Sequence, residues 1–338
     1  MPSTLVDRYS GLVCDLDGVV YRGPEAVEHA VAGLSGLELP VLYATNNASR
    51  PPGDVAAHLV ELGLPVSEAQ VVTSAQAGAS VLADRLPRGA TVLAVGGVGV
   101  SEALRDKGFR VLTTDEVRDA PAKRAEAVLQ GYGAEVTVAD LTEAAYAVSA
   151  GAIWVVTNTD PTLPTNRGTA PGNGTLVDAV RRATGVERTV VGKPEAPLYR
   201  LCAGRLGLDA RQVLAVGDRL GTDIAGASEA GMDSVLVLTG VDSVTSVAGA
   251  QHPLRPTYVV EDLRSLGESY TAAWAEDGWW SCGPARLRLV QGRWDIVDQG
   301  SAIESARAAL GAVHQALDRG ELDPAAARAL LSDLDRWQ

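Results

Sequence analysis

The strongest constraint on how this chain folds is a repeated pattern in which a short, wholly apolar run stops abruptly at a polar cluster. Leu12-Val13-Cys14 stops at Asp15, the run at 41–43 leads into Thr45-Asn46-Asn47, and the run at 213–216 into Gly217-Asp218-Arg219. A fourth such run occupies 235–238. Runs of this length read as strands buried on both faces, and the helix-like stretches between them complete the alternation of a parallel sheet covered on both sides. In open α/β sheets ligands bind beyond the carboxyl ends of the strands, so segments far apart in sequence can serve one site. The expected fold is therefore α/β, with a Rossmann-like doubly wound parallel sheet as its core.

Between Thr45 and Lys193 there is more chain than one crossover needs, and it carries its own βα signals. Strands are expected at 92–95, 110–112, 127–129 and 153–156, with a helix at 101–107. These predict an inserted α/β cap domain at 78–177, leaving 1–77 and 178–262 as a discontinuous core. Such an insertion leaves and re-enters the core near the site, where it can act as a lid.

After about residue 262 the composition changes, and Trp274, Trp279, Trp280, Trp294 and Trp337 account for five of the six tryptophans. Segments 286–290 and 294–297, joined at Gln291-Gly292-Arg293, read as a hairpin. Helices are expected at about 301–319 and at 324–336, the second with Asp323 as N-cap and Pro324 at its first position. Residues 263–338 thus form a small C-terminal α+β appendage, and aromatic packing is the expected use of its tryptophans.

A chain of 338 residues, 46% hydrophobic, can bury a large core, and its net charge of −13 argues against a nucleic-acid partner. Any phosphate it handles must be met locally. Only Lys107, Lys123 and Lys193 supply ammonium groups, so a lysine in a special context is informative. Cys14, Cys202 and Cys282 are odd in number and widely spaced, which fits reduced core thiols and a cytoplasmic protein. No apolar run approaches the ~20 residues that span a bilayer, and no basic segment followed by an apolar stretch opens the chain, so neither membrane insertion nor secretion is expected.

Asp15 and Asp17 lie two apart at the end of a buried strand and can point to the same side. One can attack phosphorus while the other handles protons, with Gly18 permitting the turn that follows. Taken alone, Asp-x-Asp-Gly also reads as a turn or a calcium-loop fragment, although Gly18-Val19-Val20-Tyr21 offers too few oxygen ligands for the latter. Thr45-Asn46-Asn47 can hold phosphoryl oxygens through a hydroxyl and backbone N–H groups, or serve as a helix cap or Asx-turn. Lys193, in Val191-Gly192-Lys193-Pro194, precedes a helix through 198–206, with Pro194 suited to its first turn and the positive helix end favouring anions. Asp218 and Asp223 offer hard oxygen suited to Mg²⁺, or Asp223 is a helix N-terminal residue favoured by the dipole.

Two other signals are set aside. Val95-Gly96-Gly97-Val98-Gly99 lacks the last glycine of a dinucleotide-binding turn, since Glu102 stands there, and reads as a βα turn of the cap. His29, His58, His252 and His314 are scattered and give no support to a zinc site or a histidine relay.

The ordered set Asp15-x-Asp17-Gly18, Thr45-Asn46, Lys193-Pro194 and Gly217-Asp218-x-x-x-Thr222-Asp223 resembles the haloacid dehalogenase-like phosphatases over roughly residues 8–262. The resemblance implies that Asp15 is the nucleophile and a metal ligand, and that Asp17 is the acid/base and ligates metal through its carbonyl. It implies phosphoryl binding by Thr45, Asn46, Asn47 and Lys193, Mg²⁺ as cofactor on Asp218, and Asp223 supporting the metal directly or through water. Asp17 speaks against a dehalogenase, which does not need that acid.

An insertion after the second motif resembles subfamily IIA, with its α/β C2-type cap. Thr157-Asn158-Thr159-Asp160 and Pro171-Gly172-Asn173-Gly174-Thr175 look like that branch's cap-to-core segment, which makes Asn158, Asp160 and Arg167 the candidate substrate contacts. Within the branch the chain is most similar to actinobacterial glycerol 3-phosphate phosphatases. The implied partner is a small-molecule phosphate ester. Phosphoglycolate, nucleoside monophosphates and pyridoxal phosphate are alternative substrates, a phosphotransferase or mutase is an alternative reaction, and a binding or scaffolding protein with an idle core is an alternative class. A homo-oligomer is compatible with all of these.

Overall fold

The computed structural model describes residues 4–119, 124–165 and 167–334. Its contacts divide the chain into two compact units, Met1–Pro40 with Leu208–Gln338, and Val41–Gly207.

In the first unit, strands Gly11–Cys14, Val213–Gly217, Asp233–Val237 and Tyr258–Val260 lie side by side and parallel, in register through Leu12 with Leu214, Ala215 with Ser234, and Leu236 with Val259. Every residue of these strands but Asp233 is buried, which is why they read as unbroken apolar runs. The expected runs at 12–14, 213–216 and 235–238 match three of them to within two residues. The strand Tyr258–Val260 was not anticipated, because three residues give too little pattern to separate from a loop.

The C-terminal part of this unit is a four-stranded antiparallel sheet followed by two helices. Its strands are Trp274–Glu276, Trp279–Cys282, Ala285–Val290 and Arg293–Asp298, and the helices are Ala302–Asp318 and Pro324–Leu334. The expected hairpin is present, with two further strands ahead of it. Both helices are capped as their sequences require: Ser301 and Glu304 form a reciprocal capping box, and Asp323 Oδ1 accepts from the N–H groups of Ala325 and Ala326. Trp337 lies outside the described residues, as do the last two positions of the expected final helix.

This appendage is not free-standing. Leu287, Leu310, Val313 and Leu331 share one buried cluster with Leu220, Ile224, Leu236, Val247 and Val259, which belong to the parallel-sheet part. Burial of side chains of this size is worth ~1.5–3 kcal/mol each, so the seam is a substantial part of the unit's stability. Alanines 306, 308, 309, 312 and 316 let the long helix approach closely, and Gly311 has no Cβ where the Trp280 ring sits. Trp294 packs against the same cluster and donates Nε1–H to Leu330 O at 3.0 Å, whereas Trp279 lies under the guanidinium of Arg288 at 4.2 Å.

In the second unit, strands Val41–Thr45 and Val71–Thr73 form a parallel pair. A five-stranded parallel sheet follows, in the order Thr189–Val190, Ile153–Val156, Ala127–Gln130, Thr91–Val95, Arg110–Leu112. All four strands expected in the inserted region are there. Helices Val138–Ser149 and Asn173–Thr184 cover this sheet, and Val148, Val177 and Val180 join Leu93, Val128 and Trp154 in one cluster. The expected limit at residue 177 falls inside the second of those helices. The apolar core of the inserted layer therefore runs on to Val190, because an amphipathic helix cannot be cut from the face it buries.

The glycine-rich turn at 95–99 links strand Thr91–Val95 to helix Val98–Asp106 and packs on the 48–50 backbone. A Cβ on Gly99 would meet the carbonyl oxygens of Ala48 and Arg50 at 2.6 Å. These glycines serve close packing, as the cap reading expects.

Candidate active site

The first unit gathers carboxylates. Asp15 N–H still bonds to Val216 O at 2.9 Å, so the residue is pinned to the sheet although the strand ends at Cys14. Leu16 turns into the core at 0% exposure, while Asp15 is buried at the sheet's end and Asp17 is exposed. The N–H groups of Val19, Val20 and Tyr21 converge on Leu16 O, and Gly18 N–H bonds to Tyr21 O at 2.9 Å. Gly18 has φ +86°, and a Cβ there would also strike the Asp218 carboxylate. Gly18 is thus required twice, by its conformation and by the approach of Asp218.

Asp218 follows strand Val213–Gly217 and is fully buried. Its Oδ2 accepts from Val241 N–H at 2.9 Å, and its main-chain oxygen from Asp242 N–H at 3.0 Å. Asp242 Oδ2 in turn accepts from Leu220 N–H at 2.7 Å, and Thr239 Oγ1 donates to Gly18 O at 3.2 Å. The loop after strand Asp233–Val237 therefore ties the first and last acidic motifs together. Asp223 sits on the π-helical turn Leu220–Ile224 and accepts from Arg219 N–H at 3.1 Å. Single π turns recur at functional sites because the wider ring re-aims a side chain.

Oxygens of Asp15, Asp218 and Asp223 lie within 4.8 Å of one another, all three residues being buried. At an effective dielectric of ~20, two charges at that separation repel by on the order of 3 kcal/mol, so the cluster calls for a cation. Every donor is a hard carboxylate oxygen, with no His or Cys among them. That donor set fits Mg²⁺, which takes a few carboxylates and keeps water.

The second unit gathers neutral hydrogen-bonding groups and one ammonium. Thr45 is the last residue of its strand, 2% exposed, and its Oγ1 accepts from Asn47 N–H at 3.0 Å. With that lone pair used, its hydroxyl proton is the group left to give to an anion. Asn47 Oδ1 accepts from both the N–H and the hydroxyl of Ser49 at 2.9 and 2.8 Å, so its side chain makes the Asx-turn that was one reading of this segment.

Lys193 is 3% exposed, with Nζ 3.4 Å from Ala44 O. The helix after it is Pro197–Leu206, so Pro197, not Pro194, takes the first turn. The main-chain N–H and C=O of Lys193 are both bonded to the Asn46 carboxamide. In that helix burial pushes the Cys202 thiol up to about 12, which keeps it protonated and inert.

Asn158 is buried, and both ends of its carboxamide are engaged: Nδ2 donates to Asn46 O at 2.9 Å, and Oδ1 accepts from Asp160 N–H at 3.2 Å. Asp160 is half-buried and accepts from Asn46 Nδ2. Arg167 is exposed at the turn of the hairpin Thr162–Thr165 with Gly168–Pro171. Gly240 and Asp242 escaped the sequence reading, although they follow a fourth apolar run as the recognised motifs follow the other three. Ser74, whose Oγ donates to Asn46 O at 2.6 Å, offered no signal.

Residues 12–110 match the family model described as Haloacid dehalogenase-like hydrolase, and 190–266 match a second HAD-hydrolase-like model. The chain is 44% identical over 82% of its length, and 76% of the relative's, to a D-glycerol 3-phosphate phosphatase of Mycobacterium tuberculosis. It is 36% identical to an acid sugar phosphatase of Staphylococcus saprophyticus, over 77% of this chain and 97% of that one. The crystal structure of a glycerol phosphate phosphatase from Mycobacterium tuberculosis in complex with magnesium superposes with a TM-score of 0.83 at 40% identity, covering 93% of each chain. A p-nitrophenyl phosphatase from Archaeoglobus fulgidus superposes at 0.69 with 30% identity, covering 76% of this chain and 98% of its own.

Proposed function

Because this chain belongs to the haloacid dehalogenase-like hydrolases and is a phosphoric monoester hydrolase, we propose that it releases phosphate from glycerol 3-phosphate through an aspartyl-phosphate on Asp15. The observation that carries the chemistry is the buried cluster of Asp15, Asp218 and Asp223. Similarity to a phosphatase of that substrate, over most of both chains, supports the choice of ester.

In this reading an Asp15 carboxylate oxygen attacks phosphorus and the bond to the ester oxygen breaks. Asp17 gives its proton to the departing alkoxide, which leaves as glycerol. A water molecule then attacks the same phosphorus, Asp17 takes its proton, and the P–O bond to Asp15 breaks to free inorganic phosphate. Mg²⁺ held by Asp15, the Asp17 carbonyl, Asp218 and, directly or through water, Asp223 supplies the charge neutralisation that lets an anion approach a phosphate. Thr45, the Asn46 backbone and Lys193 bind the phosphoryl oxygens, and Asn47 shapes that loop. Asp160 and Arg167 face the glycerol end, with Asn158 holding their segment in place.

The same reading divides the chain into a core of residues 1–77 and 178–262, a cap at 78–177 whose sheet runs on to Val190, and the appendage at 263–338. Three buried cysteines that form no disulfide support a cytoplasmic location. No helix among the described residues is long and apolar enough to cross a membrane. Val290 and Val297, exposed on the appended sheet, support self-association into a homo-oligomer, which light scattering would register as a multiple of the chain mass.

The deciding experiment is magnesium-dependent phosphate release from glycerol 3-phosphate, phosphoglycolate, nucleoside monophosphates and pyridoxal phosphate, compared as kcat/KM. Glycerol 3-phosphate is expected to lead. A tenfold preference for another ester would replace the substrate, and transfer to a second alcohol without free phosphate would replace the reaction class.

A further inference from the structure

The side chain of Asn46 has more hydrogen-bonding work than a phosphate ligand needs. A carboxamide offers two N–H donors and one oxygen. Here Nδ2 donates to Lys193 O at 3.0 Å and to Asp160 Oδ2 at 3.2 Å, while Oδ1 accepts from Lys193 N–H at 2.8 Å. The amide thus grips the main chain of Lys193 at both its N–H and its C=O, as a neighbouring strand would. The main-chain oxygen of Asn46 accepts from Ser74 Oγ at 2.6 Å and from Asn158 Nδ2 at 2.9 Å. Asn173 Nδ2 continues the chain of bonds to Asn158 O at 2.7 Å. Gly192 makes room for this arrangement, since a Cβ there would lie 2.6 Å from Asn46 Oδ1 and against Thr157 O.

We propose that the Asn46 carboxamide is a positioning residue that locks the Lys193 backbone to the 157–160 segment, so that the phosphate-binding lysine and the segment facing the leaving group are set as one unit. This deepens the reading above and rests on it for the roles of Lys193 and Asp160. Both a donor and an acceptor are needed on one small planar group. Serine cannot span the two Lys193 atoms, and aspartate cannot donate. Aspartate at 46 would also set a carboxylate against Lys193 O and against Asp160. The order of these contacts makes Asn46 matter twice, once for binding the anion and once for recognising the alcohol.

The test uses the magnesium-loaded full-length protein with Asn46→Asp, Asn46→Ala and Gly192→Ala, read by kcat and KM on glycerol 3-phosphate and on p-nitrophenyl phosphate. Inhibition and thermal shift by inorganic phosphate are measured beside them. A misplacement of about 1 Å in such a site costs about 10²-fold, and that loss in kcat/KM is expected for Asn46→Asp. Phosphate should inhibit it about tenfold less well, an effect on anion binding that follows from the displaced lysine. Because the leaving-group segment is unlatched too, the loss should be larger on glycerol 3-phosphate than on p-nitrophenyl phosphate. On p-nitrophenyl phosphate, which has no glycerol end for Asp160 to meet, Asp160→Asn should cost less in the Asn46→Ala background than in the unaltered protein, since one contact cannot be lost twice.

A folded Asn46→Asp or Asn46→Ala protein with unchanged phosphate affinity and unchanged kcat/KM would overturn the proposal. So would equal loss on both substrates together with fully additive effects of Asp160→Asn and Asn46→Ala on p-nitrophenyl phosphate. Should the Asn46 variants fail to fold, Gly192→Ala carries the same prediction, because its methyl group pries the same contact open. If the unaltered protein hydrolyses none of the esters, the phosphatase reading fails, and the phosphate-induced thermal shift still decides whether Asn46 shapes an anion site.

Discussion

The two groups of candidate residues are held in opposite ways. In the first unit, three carboxylates that repel one another are forced together by backbone geometry, with glycines at 18, 217 and 240 sitting where any Cβ would collide with Asp218 or Asp223. Behind them stands apolar packing, because Leu220 and Ile224 of the turn that carries Asp223 belong to the cluster shared with the appendage. In the second unit, neutral amides and hydroxyls attract one another, and Asn46, Asn158 and Asn173 form a linked network. Stored repulsion suits a cation site, which must be unstable when empty. A linked hydrogen-bond network suits an anion cradle, which must keep its shape while an oxyanion comes and goes.

The largest way to break this contrast is at the proposed nucleophile. Asp15→Asn keeps the size of the side chain and removes the attacking charge, so phosphate release is expected to fall by at least about 10³-fold. Loss of a carboxylate from the cluster should at the same time leave the fold intact or more stable without magnesium, since one source of repulsion has gone. Activity within tenfold of the unaltered enzyme would remove Asp15 from the mechanism.

Asp17 sharpens the distinction between attack and proton transfer. Asp17→Asn is expected to slow hydrolysis of glycerol 3-phosphate by about 10²- to 10⁴-fold, the range for a missing general acid. The penalty on the first step should shrink for p-nitrophenyl phosphate, whose phenolate leaves without a proton. Rapid-quench measurement of the burst separates that step from hydrolysis of the intermediate. Equal slowing of the burst with both esters would mean that Asp17 acts through the metal or the fold and not as an acid.

Much of this was legible beforehand, for a physical reason. Buried parallel strands must be apolar throughout, so the runs at 12–14, 41–43, 213–216 and 235–238 announce the sheet, and the polar residues that interrupt them announce the site. Asp15, Thr45 and Asp218 each sit at such an interruption. Pro194 misled because a Lys-Pro step before a helix looks like a helix start, whereas the structure begins that helix at Pro197. The roles of Asn46 and Asn158 were out of reach, since each depends on partners more than a hundred residues away. Local patterns report backbone state; they carry no record of which distant carbonyl a carboxamide will meet. The appendage lay between these extremes: its helices were marked by caps at Ser301 and Asp323, while its shared core with Leu236 and Val259 was not.

A smaller effect is expected from the steric side of the carboxylate group. Gly240→Ala places a methyl group on the Asp218 carboxylate, so the loop at 239–242 must shift and take its bonds from Val241 N–H and Asp242 N–H with it. The half-saturating magnesium concentration should rise by about tenfold, a cost of about 1.4 kcal/mol, with KM for the ester at saturating metal little changed. If KM rises while the metal response stays the same, the glycine serves the substrate pocket and not the cation site.

The smallest effect tests whether the apolar support behind the carboxylates is a titratable structure. His314, on helix Ala302–Asp318, bonds through Nε2 to Val247 O at 2.8 Å, across the seam between the appendage and the parallel-sheet part. Burial holds its pKa below the ordinary 6.5, with the main-chain bond to Val247 opposing the shift and Arg255, His252 and Asp318 the charged groups around it. The unfolded chain then takes up a proton near pH 6.5 that the folded chain refuses. Stability contributed by the neutral ring is accordingly complete above that pH and falls as the pH drops toward the lower, folded value, by at most about 1.4 kcal/mol per pH unit. His314→Gln keeps a donor for Val247 and cannot titrate. Urea unfolding between pH 7.5 and 5 should therefore show a shallower loss of stability in the variant than in the unaltered protein, with the two converging in slope above pH 7. Parallel curves throughout would mean that the seam tolerates the imidazolium, and that the packing behind Asp223 yields more readily than its burial implies.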